Sequence, residues 1–97
     1  MLKIETKNAA GQLILQVQGR LAGACVPELR RCWESARAEQ PEGQIAIDLK
    51  NVTYVDAQGR ELLQAMHDAA VVFLHAGMAT QDILDELAPR GDSARRL

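Results

Sequence analysis

Aromatic residues, prolines and cysteines are scarce in this chain of 97 residues. It has one Trp, one Tyr and one Phe, too few rings to form a platform on which nucleic acid bases stack. Basic and acidic residues nearly balance, at 11 against 13, for a formal net charge of −2. Binding of a phosphate backbone needs clustered Lys and Arg. We therefore predict that nucleic acid is not a partner.

Long hydrophobic runs are also missing. No apolar run reaches the roughly 18 residues needed to cross a bilayer, and Lys3, Glu5 and Lys7 interrupt the start of the chain, where a secretory signal would be apolar. We expect a cytoplasmic domain that does not insert into membranes. On a single helix, Cys25 and Cys32 would lie roughly 10 Å apart, beyond the ~7 Å reach of a disulfide, so we predict that both are free.

Catalytic side chains are few. The chain has only two serines, Ser35 and Ser93, and two histidines, His67 and His75. No nucleophile and base share a recognisable spacing, no phosphate-binding loop occurs, and the carboxylates are scattered rather than clustered as metal ligands. We predict no catalytic residues, no metal and no cofactor.

The apolar residues, 47% of the chain, suffice for the core of one domain, and their spacing predicts an N-terminal hairpin. Leu2, Ile4 and Thr6 alternate with charged residues, the period-2 pattern of a strand with one solvent-exposed face. Residues 8–11 are predicted as a turn and residues 12–19 as a second, antiparallel strand.

Three amphipathic helices and two more strands are predicted downstream. Residues 19–23 and the stretch between Leu49 and Asp56 are predicted as loops. The second helix should begin near Asp56, which can cap it, and should bury Leu62, Leu63, Met66 and Ala70. The other predicted elements are a helix over 26–39, a strand over 45–49, a strand over 71–74, and a helix capped by Thr80 and ended by Pro89.

The order β-β-α-β-α-β-α predicts an α/β domain with a single-layer mixed sheet of about four strands. If consecutive strands are neighbours, the crossover helices share one face. We assign residues 1–88 to this domain and residues 89–97 to a polar C-terminal tail without hydrophobic periodicity.

The segment over residues 45–63 resembles the STAS domain, the fold of bacterial anti-sigma factor antagonists. In that family a strand ending in Asp-Leu leads through an apolar step to a helix start of the type Asp-Ser-Ser-Gly, followed by Leu-Leu within the helix. The resemblance extends to the Gly-Arg-Leu-Ala-Gly turn at 19–23 and covers roughly residues 2–88. The matching residues are Asp48, Leu49, Val55, Asp56, Gly59, Leu62 and Leu63.

The resemblance implies a protein-interaction module and departs from the family at one position. The family's phosphorylatable residue is the second after the Asp, and that position is Gln58, preceded by Ala57. Neither residue can accept a phosphate, so the usual charge switch is absent there. We expect constitutive docking or another means of control, and whether Thr53 or another residue is modified stays open.

We predict that the partner binds at the start of the second helix, together with the nearby loop over 20–23. The partner is expected to be an anti-sigma factor or kinase-like protein, or a transporter subunit. A structural alternative makes Asp56 only a helix cap, Gly59 only a close-packed residue of the first turn, and the two charged residues that follow it ordinary solvated groups. The predicted surface comprises Asp56, Ala57, Gln58, Gly59, Arg60, Glu61 and Arg20.

A second hypothesis is a small-molecule or lipid-sensing domain, or a transporter-associated subunit. Its pocket would lie near the strand ends, where His75 and Tyr54 would supply polar groups. A homodimer is also expected, because a small domain must protect an exposed sheet face or edge strand.

Overall fold

The computed structural model of the chain describes residues 2–9, 11–40 and 43–87. The order of its elements confirms the predicted α/β class. In chain order they are β1 (Leu2–Ala9), β2 (Gln12–Leu21), α1 (Cys25–Glu39), β3 (Gln44–Val55), α2 (Ala57–Asp68), β4 (Val72–Leu74) and α3 (Met78–Glu86).

The strands form one mixed sheet in the order β1-β2-β3-β4. β1 pairs antiparallel with β2, which confirms the hairpin, and the β2–β3 and β3–β4 pairs are parallel. Consecutive strands are therefore neighbours. α1 and α2 contact each other, which places the two crossover helices on a common face of the sheet.

The core lies between the sheet and these helices. Alternate residues of β2, namely Leu13, Leu15 and Val17, are buried, and the first two pair with Ile45 and Ile47 of β3. Full burial of such a side chain contributes about 1.5–3 kcal/mol. α1 adds Leu29, Trp33 and Ala36 to this core, and α2 adds Leu62, Leu63 and Met66, which the sequence pattern predicts to be buried.

β3 is longer than predicted. The sequence pattern predicts a strand over 45–49 followed by a loop, but the strand continues to Val55. Its register against β2 shifts twice, between Gln16 and Gln18 and between Gly19 and Arg20, and β3 contributes one extra residue each time. Such bulges break the period-2 alternation, so the polar residues at 50 and 51 look like a loop. The Asp48 side chain accepts a hydrogen bond from the Lys50 backbone N–H at 2.9 Å in the first bulge.

Other boundaries also differ from the predictions. β2 runs to Leu21, so the predicted loop over 19–23 shortens to residues 22–24. Ala70 is exposed, because α2 ends at Asp68 and Ala70 adopts φ 67°. The α3 cap is Gly77, and Thr80 is fully buried in the first turn, where its hydroxyl donates to the Gly77 carbonyl at 3.2 Å. Pro89 and the tail over 89–97 lie outside the described residues.

Candidate functional site

The junction between β3 and α2 is organised by Asp56. Its extended backbone, at φ −91° and ψ −174°, ends the strand, and its side chain caps the helix. Oδ1 accepts a hydrogen bond from the Gly59 N–H at 2.8 Å. This bond satisfies one of the N–H groups that a helix start leaves without an intrahelical partner.

Asp56 also ties α2 to the loop between β2 and α1. Its second carboxylate oxygen, Oδ2, accepts a hydrogen bond from the Gly23 N–H at 2.9 Å. Its own backbone N–H donates to the Leu21 carbonyl at 3.1 Å. Residues 20–23, predicted as a loop, form the end of β2 and the start of the loop that follows it in the structure, and Asp56 holds them at the start of α2.

These backbone donors lower the pKa of the Asp56 carboxyl. The largest cause is the Gly59 N–H, followed by the Gly23 N–H, and partial desolvation opposes them. Hydrogen bonds to the charged form favour ionisation. Both carboxylate oxygens accept hydrogen bonds, and the residue is half-buried. The role of Asp56 at this surface is therefore to hold the backbone in place.

Gly59 is buried where the start of α2 lies against the end of β2. A Cβ at this position would lie 2.5 Å from the Leu21 carbonyl oxygen and 2.9 Å from Cγ1 of Val55. Real Cβ atoms do not approach a backbone oxygen this closely. The glycine of the Asp-x-x-Gly sequence is therefore required by packing, and it contributes no side chain to the surface.

The solvent-exposed side chains at this junction belong to the two residues between Asp56 and Gly59 and to the two residues after Gly59. Ala57, Gln58, Arg60 and Glu61 are exposed. With Arg20, also exposed, they form what we call the helix-start surface. It carries two basic groups and one acidic group around the neutral amide of Gln58.

Two contacts on this surface were not predicted from the sequence. Arg60 Nη2 lies 2.8 Å from Glu86 Oε1, which links the start of α2 to the end of α3. The Arg20 guanidinium lies over the Tyr54 ring, 4.4 Å from its centroid, a cation–π arrangement. The partners in both pairs are distant in sequence. Tyr54 is 44% exposed and is the one large hydrophobic side chain so exposed among the described residues.

The two residues of the predicted small-molecule pocket, His75 and Tyr54, do not share the cavity that His75 lines. His75 lines a cavity of about 360 Å³ together with residues of β2 and β3, most of them polar, and Tyr54 is not among its lining residues. His75 adopts φ 55°, in the left-handed region. The cavity is lined by Gln16, Val17, Gln18, Asp48, Lys50, Asn51 and His75.

A larger cavity, of about 750 Å³, lies where α1 and α2 end and β3 begins. Trp33, which is only 3% exposed, lines it, and the indole Nε1 is buried without a hydrogen-bond partner. The Arg37 guanidinium lies 5.0 Å from the Trp33 ring centroid. Ile45 and Val71 contribute apolar surface to the same cavity.

Other chemical groups are dispersed. Cys25 and Cys32 are free, and His67 is half-buried on α2. Over residues 2–9, 11–40 and 43–87, no group of three His, Cys, Asp or Glu side chains is placed to hold a metal ion. No helix in the same ranges has the length and apolar character needed to cross a bilayer.

The family model described as the STAS domain matches residues 3–71, from β1 to three residues past the end of α2. Among solved structures, an anti-sigma factor antagonist from Mycobacterium paratuberculosis is similar, with a TM-score of 0.73, 20% identity, and coverage of 88% of this chain and 76% of that one. The anti-sigma factor antagonist SpoIIAA in its unphosphorylated form gives a TM-score of 0.66 at 13% identity and covers 96% and 90%. No curated protein matches the chain at significant similarity.

Proposed function

This chain belongs to the STAS domain family, and we propose that it is a non-enzymatic module that docks a partner protein through the helix-start surface. The similar solved structures are anti-sigma factor antagonists, which supports a protein-interaction role. We extend the proposal to a bacterial cytoplasmic regulator whose partner is an anti-sigma factor or kinase-like protein, or a transporter subunit.

The observation that carries the proposal is the way the backbone holds this surface. Asp56 bonds to Gly59 on one side and Gly23 on the other, at 2.8 and 2.9 Å, and Gly59 packs against Leu21. A backbone fixed in this way loses little conformational freedom of its own when a partner binds, which favours affinity.

The chemistry of the surface suits a protein partner. Tyr and Arg are enriched among residues that dominate binding energy at protein interfaces, and Tyr54 and Arg20 lie together beside the loop that Asp56 anchors. Ala57 is small and Gln58 is uncharged, so a partner can approach the centre of the helix-start surface closely. We propose that Arg20 and Tyr54 anchor one side of the partner and Gln58 contacts its centre.

Gln58 makes docking independent of phosphorylation at this position. In the regulated members that this chain resembles, a phosphate at the equivalent residue adds about −1.5 to −2 charge. An amide cannot be phosphorylated, so we propose that the surface is permanently competent to bind. Addition of one negative charge by Gln58→Glu should therefore weaken binding.

The test is affinity capture from the source organism, with wild type, Gln58→Arg and Gln58→Glu as baits, and mass spectrometry of the captured proteins. Gln81→Arg is the matched control, because Gln81 is an exposed glutamine near the start of α3. We expect both substitutions at Gln58 to reduce a specific partner at least about tenfold, which corresponds to 1.4 kcal/mol of binding free energy, and Gln81→Arg to leave it unchanged.

Equal recovery of the same proteins with all four baits would refute the surface assignment. Circular dichroism and thermal unfolding of each bait show whether a loss of binding comes from a loss of fold. Arg60→Glu adds a second test, since it reverses charge on the same surface.

A second candidate function is small-molecule binding, now at the Trp33 cavity rather than between His75 and Tyr54. Its volume of about 750 Å³ lies in the range of ligand pockets, about 300–1,000 Å³. A buried N–H without a partner costs about 1–3 kcal/mol, and a ligand acceptor that reaches Trp33 Nε1 would recover it. A carboxylate fits best, because Arg37 lies over the same ring.

Thermal shift with a panel of amphipathic carboxylates tests this candidate. A ligand that binds only the folded state raises stability with its concentration. The expected result is a shift in wild type that Trp33→Phe abolishes. No shift at millimolar concentration, or an equal shift in Trp33→Phe, would overturn it.

A further inference from the structure

The outer edge of β1 is the long open edge of the sheet, and we propose that a second copy of this chain pairs with it. In this dimer the two β1 strands run antiparallel about a two-fold axis at Ile4 and join the two sheets into one of eight strands. The proposal goes beyond partner docking and does not depend on it, because it uses a different strand.

The two edges of the sheet differ in length. β4, at one edge, has three residues and pairs with β3 only up to Asp48, and α3 packs against β3. β1, at the other edge, has eight residues in unbroken one-to-one register with β2. In the described part of the chain no strand pairs with its outer side. Such an edge is a template for another strand.

The charges on β1 alternate in sign and are self-complementary only in certain registers. Lys3, Glu5 and Lys7 are exposed on the sheet face away from the helices, and Lys3 Nζ lies 3.3 Å from Glu5 Oε2 in the same strand. A symmetric antiparallel pair centred on Glu5 places each Lys3 opposite a Lys7. Centred on Ile4 or Thr6, it places lysines opposite glutamates. Unlike charges directly opposite stabilise a strand pair, and like charges destabilise it.

The side chains on the opposite face of β1 favour the Ile4-centred register over the Thr6-centred one. Ile4 is half-buried against the core, and the Ile4-centred register places the two Ile4 side chains opposite each other. The Thr6-centred register places Ile4 opposite Asn8, whose Oδ1 already accepts a hydrogen bond from Gln40 Nε2 at 3.0 Å. Pairing about Ile4 buries apolar surface on both copies and leaves the Asn8 contact outside the paired segment.

This arrangement has two consequences. Because the β1 strands are antiparallel, the helix-start surfaces of the two copies lie at opposite ends of the joined sheet, and both stay accessible. The ladder pairs residues 2–6 of each copy, which is short beside standard interfaces of about 1,200–2,000 Å². The dimer should therefore form in a concentration-dependent manner.

Sedimentation equilibrium of protein without an N-terminal tag, from about 10 μM to about 1 mM, tests the dimer. We expect wild type to dimerise in this range. Glu5→Lys and Lys3→Glu should each weaken self-association at least about tenfold, because each places like charges opposite each other twice. An equimolar mixture of the two variants should recover a dimer, since it pairs two lysines with two glutamates.

Lys7→Glu is the matched control for register. In the Ile4-centred register Lys7 faces no carboxylate, so this variant should dimerise like wild type, whereas the Thr6-centred register would lose its charge pairs. A monomeric wild type at the highest concentration, unchanged dimerisation of Glu5→Lys, or no recovery in the mixture would each overturn the proposal. All three side chains are exposed, and circular dichroism of each variant verifies the fold.

Discussion

The two ends of α2 differ in how many of their polar groups are hydrogen-bonded and in how tightly their residues pack. At the start, both oxygens of Asp56 accept backbone N–H groups, and Gly59 packs against the Leu21 carbonyl with no room for a methyl group. At the end, Ala70 turns the chain with φ 67°, and a cavity of about 750 Å³ lies beside an unpaired Trp33 N–H.

This difference shows where the domain tolerates change. Side chains at the start of α2 are exposed, but the backbone below them is held by hydrogen bonds and close packing. A substitution in that backbone support should be costly, while one at the far end should be partly absorbed by the empty space. Four predictions test this contrast.

Among the conservative substitutions, which leave out the truncation of Trp33 to alanine, Gly59→Ala should give the largest effect. The added Cβ would lie 2.5 Å from a backbone oxygen, which cannot move away as a flexible side chain would, so we expect a loss of about 2–3 kcal/mol in unfolding free energy. Urea denaturation measures it. Gly77→Ala is the control: its Cβ would meet no atom within 4 Å, so its loss should stay below about 1 kcal/mol. Equal losses would contradict the packing argument.

Asp56→Asn should lower stability at neutral pH by a smaller amount, and the difference from wild type should depend on pH. The folded-state pKa of Asp56 is lowered by the Gly59 and Gly23 N–H groups, so the unfolded chain binds the proton more readily. The stabilisation is then complete above the unfolded pKa of about 3.9 and is lost as pH falls through the folded value.

Urea titrations of wild type and Asp56→Asn between neutral pH and about pH 3 measure this dependence. Asp82→Asn controls for removal of an exposed carboxylate from a helix. A stability difference that stays constant below about pH 4 would count against the ionised cap.

Trp33→Phe tests the loosely filled end and should change stability by about 1 kcal/mol or less. The loss of buried ring area lowers stability, and removal of the unpaired N–H raises it by a similar amount. Thermal and urea unfolding measure the net change, with Trp33→Ala as a comparison that should lose about 3–5 kcal/mol. A loss as large for Phe as for Ala would show that the indole N–H matters in the folded state.

The Arg60–Glu86 pair should contribute least, about 0.5 kcal/mol, because both side chains are about half exposed, at 47% and 60%. A double-mutant cycle with Arg60→Gln and Glu86→Gln measures the coupling. The coupling should decrease in high salt, where exposed charges are screened. A coupling above about 2 kcal/mol would contradict this prediction and show that the pair stabilises the helix start as strongly as the backbone contacts do.

Elements with an unbroken hydrophobic period were predictable. Leu62, Leu63 and Met66 repeat at helical spacing and are all fully buried, and the β1–β2 hairpin follows from alternation along both strands. β3 was predicted at less than half its length, because its two bulges shift the alternation that a sequence pattern depends on.

At the start of α2, the capping residue could be predicted from the sequence, but the contacts with residues distant in the chain could not. Asp56 before a helical period indicates a capping carboxylate from local spacing alone. Its second bond, to Gly23, and the Arg60–Glu86 contact join residues brought together by the fold. The prediction of Thr80 as the cap was wrong, because α3 begins at Met78 after Gly77, and Thr80 is buried within its first turn.

Local chemistry in the chain therefore accounts for the order of the elements, their buried faces and the Asp56 cap, because hydrophobic periodicity and side-chain hydrogen bonds to nearby amides act over a few residues. Long-range packing accounts for the need for Gly59, the bond from Gly23 to Asp56 and the cavity at Trp33. Each of these depends on how close two distant backbone segments come, and that distance is set when the helices pack against the sheet.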